Sequence, residues 1–108
     1  MAFKRGKTKG IGELLEGYTK IQKADIEEPI LIDNVVKGFS EDNGVFIYVT
    51  GTHKSVPVFV SIPAASLDDF TEINESDLDE IRSEGLKLYV ESHMSKKGRQ
   101  YYTAYIEE

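Results

Sequence analysis

After Pro29, apolar and polar positions alternate with a period of two, which is typical of strands with one buried face. We predict three strands in this stretch, at 30–36, 45–50 and 56–62. The loop at 38–44 ends in Asn43-Gly44, a strong hairpin signal. Pro57 has no N–H to donate, so it places the third strand at a sheet edge or at a bulge.

Beyond Pro63 the pattern changes to that of short helices. Ser66 with Asp69, and Asn74 with Asp77, have the spacing of helix starts, and Gly85 stands where a helix C-cap glycine would. We therefore predict one or two short helices, followed by two more strands at 86–91 and 100–106. The chain is then mainly β, with the element order β-β-β-α-β-β.

The start of the chain differs from the rest in charge and in pattern. Residues 1–23 hold six basic and two acidic side chains and are rich in glycine. A stripe with helical spacing i, i+3, i+4 and i+7 is formed by Ile11, Leu14, Leu15 and Tyr18. We predict a basic arm at 1–23, flexible or helical, in front of one folded domain at 24–108.

The predicted strands carry aromatic rings on the faces that should point away from the core. In the second strand Ile47 and Val49 share one face, while Phe46 and Tyr48 share the other, because alternate side chains point in opposite directions. Phe59 occupies the corresponding face of the third strand. A row of outward rings is costly in water unless it has a use. Base stacking is such a use, worth roughly 1–3 kcal/mol per base.

This pattern resembles the OB-fold, a five-stranded barrel that binds oligonucleotides on its second and third strands and on loops 1–2 and 4–5. The pair Phe46 and Tyr48, with Phe59 opposite, looks like that binding face. The small size and basic start resemble the compact single-stranded DNA-binding proteins of bacteriophages and conjugative plasmids. The resemblance covers about residues 24–108. It implies a five-stranded OB-fold-like barrel that binds single-stranded DNA during replication.

The candidate site combines the outward rings with cations on the strands and in the loops next to them. Lysine and arginine side chains would neutralise phosphates, and RNA is a possible ligand besides single-stranded DNA. The predicted nucleic-acid-binding residues are Phe46, Tyr48, Lys54, Phe59, Lys87, Tyr89, Lys96, Lys97, Arg99 and Tyr101.

Composition excludes several other functions. The chain has no cysteine, which removes disulfides, zinc thiolate sites and thiol catalysis. His53 and His93 are isolated imidazoles, too few to predict a metal site. No catalytic motif is present, so we predict a protein that is not an enzyme and needs no cofactor. No apolar run has the roughly 20 residues needed to cross a bilayer, and we predict a cytoplasmic protein without membrane association.

The net charge of −6 counts against a purely electrostatic binder of nucleic acid. Residues 68–84 hold eight acids and one arginine, which we interpret as the solvated face of the predicted helix.

Two alternatives remain open. In one, the aromatic face is buried against a partner protein or in a homodimer, formed through this face or through the arm. In the other, the protein binds RNA in the manner of cold-shock proteins. Apart from these two alternatives, Lys96, Lys97 and Arg99 also fit an ordinary polar hairpin loop.

Overall fold

A single curled, six-stranded sheet forms a half-barrel in the computed structural model, which describes residues 15–42 and 44–108. The strands are β1 Thr19–Lys20, β2 Ile30–Ser40, β3 Gly44–His53, β4 Val56–Ser61, β5 Lys87–Met94 and β6 Gln100–Glu107. Their order across the sheet is β1-β4-β3-β2-β5-β6, and β1 runs parallel to β4 while the other neighbours are antiparallel. The prediction of a mainly β, barrel-like fold is confirmed. The number of five strands was wrong.

The additional strand comes from the segment that the sequence placed in the arm. Thr19 and Lys20 pair with Val58 and Phe59 of β4. The Ile21 N–H then donates to the Phe59 carbonyl at 2.9 Å. A two-residue strand is too short to show a period of two, which explains why the pattern missed it. Residues 1–14 of the predicted arm, with Ile11 and Leu14 of the helical stripe, lie outside the described residues.

Strands β2 and β3 form a hairpin longer than the sequence predicted. The expected loop at 38–44 is shorter, because β2 continues to Ser40 and pairs Gly38 with Phe46 and Phe39 with Val45. Asn43 of the predicted turn lies outside the described residues. A bulge at Asp33 shifts the register of β2 against β3 and increases the local bend.

Two short α-helices follow β4, where the sequence predicted one or two: α1 at Leu67–Thr71 and α2 at Glu75–Glu84, after a 3-10 turn at Ala64–Ser66. Asn74 and Asp77 form the predicted capping box, and Gly85 ends α2 with φ of 65°. Ser66 behaves differently. Its hydroxyl accepts a hydrogen bond from the Ala104 N–H of β6 at 2.8 Å instead of capping α1. This bond ties the 3-10 turn to the edge of β6.

The core lies between the concave side of the sheet and the two helices. Its buried aliphatic side chains come from alternate positions of the strands, together with Phe70 of α1 and Leu78 and Ile81 of α2. The acids of α1 and α2 are consequently on the far side of the helices, in solvent. In the described ranges no helix combines the length and apolar composition that crossing a bilayer requires.

Candidate nucleic-acid interface

Three aromatic rings from β3 and β4 meet on the convex side of the sheet. The ring centroids of Phe46 and Tyr48 are 5.6 Å apart, as are those of Tyr48 and Phe59, with the second pair edge to face. We call Phe46, Tyr48 and Phe59 the outer ring cluster. Each side chain is half-buried, so part of each ring stays open to solvent. Their strand neighbours Ile47 and Val58 point into the core.

The outer ring cluster rests on a closely packed support. Val36 of β2 and Thr50 of β3 are buried on this side of the sheet. Phe46 lies across Gly38, where an added Cβ atom would stand 2.4 Å from the Cζ atom of the ring. A residue other than glycine at position 38 would displace the ring. The cluster is therefore positioned by β2 as well as by the strands that carry it.

Tyr18, which the sequence assigned to the arm, reaches over the same side of the sheet. Its hydroxyl donates a hydrogen bond to the Asp33 carboxylate at the bulge of β2, and its side chain lies beside Thr50. Since Tyr18 precedes β1 at one edge of this region and Asp33 belongs to β2 at the other, the side chain bridges β4 and β3. The hydrogen bond to Asp33, followed by partial burial, raises the pKa of Tyr18 above its ordinary value.

Stability should therefore fall at high pH as Tyr18 ionises. The pKa of Tyr18 is higher in the folded state than in the unfolded state, where it is about 10. The stabilisation from the hydrogen bond to Asp33 is therefore complete below the unfolded-state pKa and is lost as pH rises through the folded-state pKa. We expect the melting temperature of the wild type to fall more steeply than that of Tyr18→Phe as pH rises above about 10. Circular dichroism melts across this range provide the measurement. Parallel curves for the two proteins would contradict the role of this bond.

Two lysines border the outer ring cluster on its β4 side. Lys20 lies opposite Phe59 in the β1–β4 pair. The Lys23 ammonium donates to the Ser61 hydroxyl at 3.0 Å, and Ser61 in turn pairs with Tyr48. Burial lowers the pKa of Lys23, with a smaller contribution from the nearby charge of Lys20. Both lysines belong to the arm predicted at 1–23, and no pattern in the sequence indicates that they lie beside the rings.

Lys54 and Lys87, both predicted to contact phosphates, lie next to acids. Lys54 stands in the two-residue β3–β4 turn with φ of 52° and forms an ion pair with Glu27. The hydrogen bond to Glu27 is the main reason that the pKa of Lys54 is raised. Lys87 pairs across the β5–β6 hairpin with Glu107. Both cations therefore share their surroundings with a carboxylate.

The rings of β5 and β6 form a second aromatic surface. Tyr89 stacks on Tyr105 with centroids 5.3 Å apart, and His93 stacks on Tyr101 at 5.1 Å. The Tyr105 hydroxyl donates to Glu91 at 2.9 Å, and the Tyr89 hydroxyl donates to the Glu108 carbonyl at the same distance. These bonds hold the two tyrosines in one arrangement.

The predicted site residues thus occupy two separate surfaces. Strand β2 lies between β3 and β5, and it meets β5 near its own start, where Ile30 pairs with Leu88. Because these pairs are antiparallel, the β2–β3 and β5–β6 hairpins extend in opposite directions. Tyr101, at the start of β6, follows the turn of the second hairpin, which carries three exposed cations: Lys96, Lys97 and Arg99.

In the described part of the chain, no three histidine or acidic side chains come together as a metal site would require. Comparison of the chain with protein-family models, with curated proteins and with solved structures finds no match.

Proposed function

We propose that this protein binds single-stranded DNA without sequence preference, with bases stacking on the outer ring cluster. The observation that carries the proposal is the arrangement of Phe46, Tyr48 and Phe59 on one side of the sheet, partly open to solvent and bordered by Lys20 and Lys23. Every base has a flat π-face, so such a platform tolerates any sequence. The two ammonium groups supply phosphate contacts beside it.

The distribution of charge supports this function in spite of the negative net charge. Phe70, Leu78 and Ile81 anchor α1 and α2 on the concave side of the sheet. The acidic residues of 68–84 are therefore separated from the outer ring cluster by the sheet itself. These acids are exposed to solvent, where ions at physiological salt screen charge over a Debye length of about 8 Å, and this weakens their repulsion of a strand on the other side of the sheet.

The order of the strands supports the OB-fold-like reading. Leaving out β1, the remaining five strands lie in the order third-second-first-fourth-fifth. Five strands in one curled sheet fit the OB-fold, which is a five-stranded and partly open barrel. Here β1 covers the open edge of β4, and the Ser66–Ala104 bond covers part of the edge of β6. In this correspondence the ring cluster occupies strands two and three, and Lys96, Lys97 and Arg99 occupy loop 4–5.

A fluorescence titration with oligo-dT at two salt concentrations tests the proposal. We expect binding that weakens as salt rises, and much weaker binding of a duplex of equal length. The variant Lys20→Ala/Lys23→Ala should lower the slope of log K against log salt by about 1.4, since each phosphate contact on a single strand contributes about 0.7. Lys54→Ala is the control and should leave the slope unchanged, because Lys54 is paired with Glu27.

Absence of oligo-dT binding at low salt would reject the proposal. Stronger binding of oligo-U than of oligo-dT would assign the same surface to RNA.

A protein-interaction module is the second candidate function. The observation that favours it is Tyr18, which already lies over the side of the sheet that carries the rings. A protein partner could extend this cover across the remaining ring surface, since tyrosine and phenylalanine are enriched at protein interfaces. Sedimentation in the presence of oligo-dT separates the two functions. A stable complex with another protein chain that shields the rings from solvent, together with no binding of oligo-dT, would favour the protein-interaction module.

A further inference from the structure

The tip of the β2–β3 hairpin exposes apolar side chains on the side opposite the outer ring cluster. Phe39 is 73% exposed and Val45 is 44% exposed, and the two residues pair across the hairpin. Both point to the same side as Val35 and Ile47, which are buried in the core. The helices therefore cover the base of this side of the hairpin and leave its tip in water. An exposed aromatic ring next to an exposed aliphatic side chain is a candidate surface for association with another protein.

A groove lies next to this apolar tip, between the hairpin and the connection of α1 to α2. Its volume is about 520 Å³, and its apolar lining includes Val35, Ile73 and Leu78. The Lys37 ammonium closes one side by donating to the carbonyls of Ile73 and Thr71, the latter at 2.7 Å. Phe39 is four residues beyond Val35, about 14 Å along the strand. A projection and a groove that accepts it thus stand on one side of the same hairpin.

We propose that a second copy of this chain binds here in a twofold dimer, with Phe39 of each copy entering the groove of the other. A twofold interface requires that the same patch serve both partners, so a projection must lie near its own complement. The pairing of Phe39 with the groove beside Val35 satisfies this condition, with the axis close to Lys37. In this arrangement each Lys37 ammonium keeps its hydrogen bonds to the carbonyls of Thr71 and Ile73 in its own copy. Glu72 and Glu75 also line the groove.

Charge complementarity supports the same arrangement. With the twofold axis near Lys37, the β2 strands of the two copies run antiparallel. If Phe39 of one copy lies opposite Val35 of the other, then Glu41, two residues farther along, lies opposite Asp33. Arg82 of α2 lies there, donating to the Asp33 carbonyl at 2.7 Å and to the Asn34 side chain at 3.3 Å. Its side chain is 42% exposed and already has the exposed Asp79 carboxylate 3.6 Å from its Nη1 atom, so Glu41, which is also exposed, would join this pair as a second carboxylate. The dimer thus brings Glu41 of each copy to Arg82 of the other.

The dimer would leave DNA binding intact. Phe39 and the outer ring cluster are on opposite sides of the sheet, as the alternation along β2 and β3 requires. An assembly of two chains would then present two ring clusters facing away from the interface. Two linked sites raise the affinity for a long strand over that for a short one.

Sedimentation equilibrium of the full chain tests the proposal. We expect reversible dimerisation of the wild type and a dissociation constant raised about tenfold or more in Phe39→Ser, because a central aromatic side chain contributes most at such interfaces. Met94→Ser is the matched control. Met94 is 67% exposed in the β5–β6 hairpin, so the change removes similar apolar surface elsewhere and should leave the dimer unchanged. A wild type that stays monomeric at its highest soluble concentration would overturn the proposal.

A charge exchange tests the register of the dimer. Glu41→Arg should weaken dimerisation, and combining it with Arg82→Glu should restore it, with circular dichroism to show that each variant is folded. Loss of the dimer in Met94→Ser but not in Phe39→Ser would place the interface on the other hairpin and reject this one. Oligo-dT binding by a monomeric Phe39→Ser variant would show that DNA binding stands independently of the dimer.

Discussion

Replacing Tyr48 and Phe59 together with alanine is expected to weaken oligo-dT binding by about 2–6 kcal/mol, since each stacked base is worth roughly 1–3 kcal/mol. These two rings are the edge-to-face pair of the outer ring cluster, 5.6 Å between centroids. Tyr48 lies on β3 and Phe59 on β4, so the double substitution removes stacking surface from both strands of the outer ring cluster. This corresponds to a loss of affinity of at least about 27-fold, measured by fluorescence anisotropy of a labelled oligonucleotide.

A ring-preserving variant separates stacking from damage to the fold. Tyr48→Phe with Phe59→Tyr keeps both π-faces and should bind oligo-dT as the wild type does. Both variants should retain the far-ultraviolet circular dichroism spectrum of a β-rich fold. Equal affinities for the alanine and ring-preserving variants would show that bases do not stack on this cluster.

Gly51→Ala is expected to destabilise the protein by about 3 kcal/mol, the upper end of the range usual for an overpacked site. Gly51 is buried in β3, where β2 bends towards its bulge. An added Cβ atom would stand 2.2 Å from the Leu31 carbonyl oxygen and 2.7 Å from the Ile30 Cγ2 atom. The backbone carbonyl cannot rotate away, because Leu31 is paired in the hairpin with Thr52. The strands must separate to admit the methyl group.

Urea denaturation followed by tyrosine fluorescence measures this effect. Thr52→Ala is the matched control, because Thr52 is the next residue of β3 and is exposed. Its unfolding free energy should stay within about 0.5 kcal/mol of the wild type. An unchanged urea midpoint for Gly51→Ala would mean that β2 and β3 are farther apart at this point than the structure places them.

Local patterns in the sequence were enough to predict the positions of the outer rings. The alternation in β3 puts Ile47 in the core and Tyr48 outside, and both positions follow from the period of two. The capping box of Asn74 and the C-cap at Gly85 were likewise local, since each depends on residues within one helix. The role of Ser66 could not be predicted from local sequence, because its hydroxyl accepts a hydrogen bond from Ala104 of β6, which is 38 residues away.

Other parts of the candidate site depend on which strands become neighbours. Rings that the sequence grouped into one surface are divided by β2, so Tyr89 and Tyr101 belong with the β5–β6 hairpin. Lys23 reaches the outer ring cluster by bonding to Ser61. Side-chain periodicity specifies the face of a strand but not its partner.

Local patterns were sufficient to predict a mainly β protein, one or two short helices after the third predicted strand, and three rings on the outward faces of two strands. The path of Tyr18 across those strands to Asp33, and the positions of Lys20 and Lys23 beside the rings, depend on which strands become neighbours. The physical reason is the range of the interactions. Alternation and capping act over a few residues, whereas the pairing of β1 with β4 joins residues about forty positions apart and depends on the closing of the whole sheet.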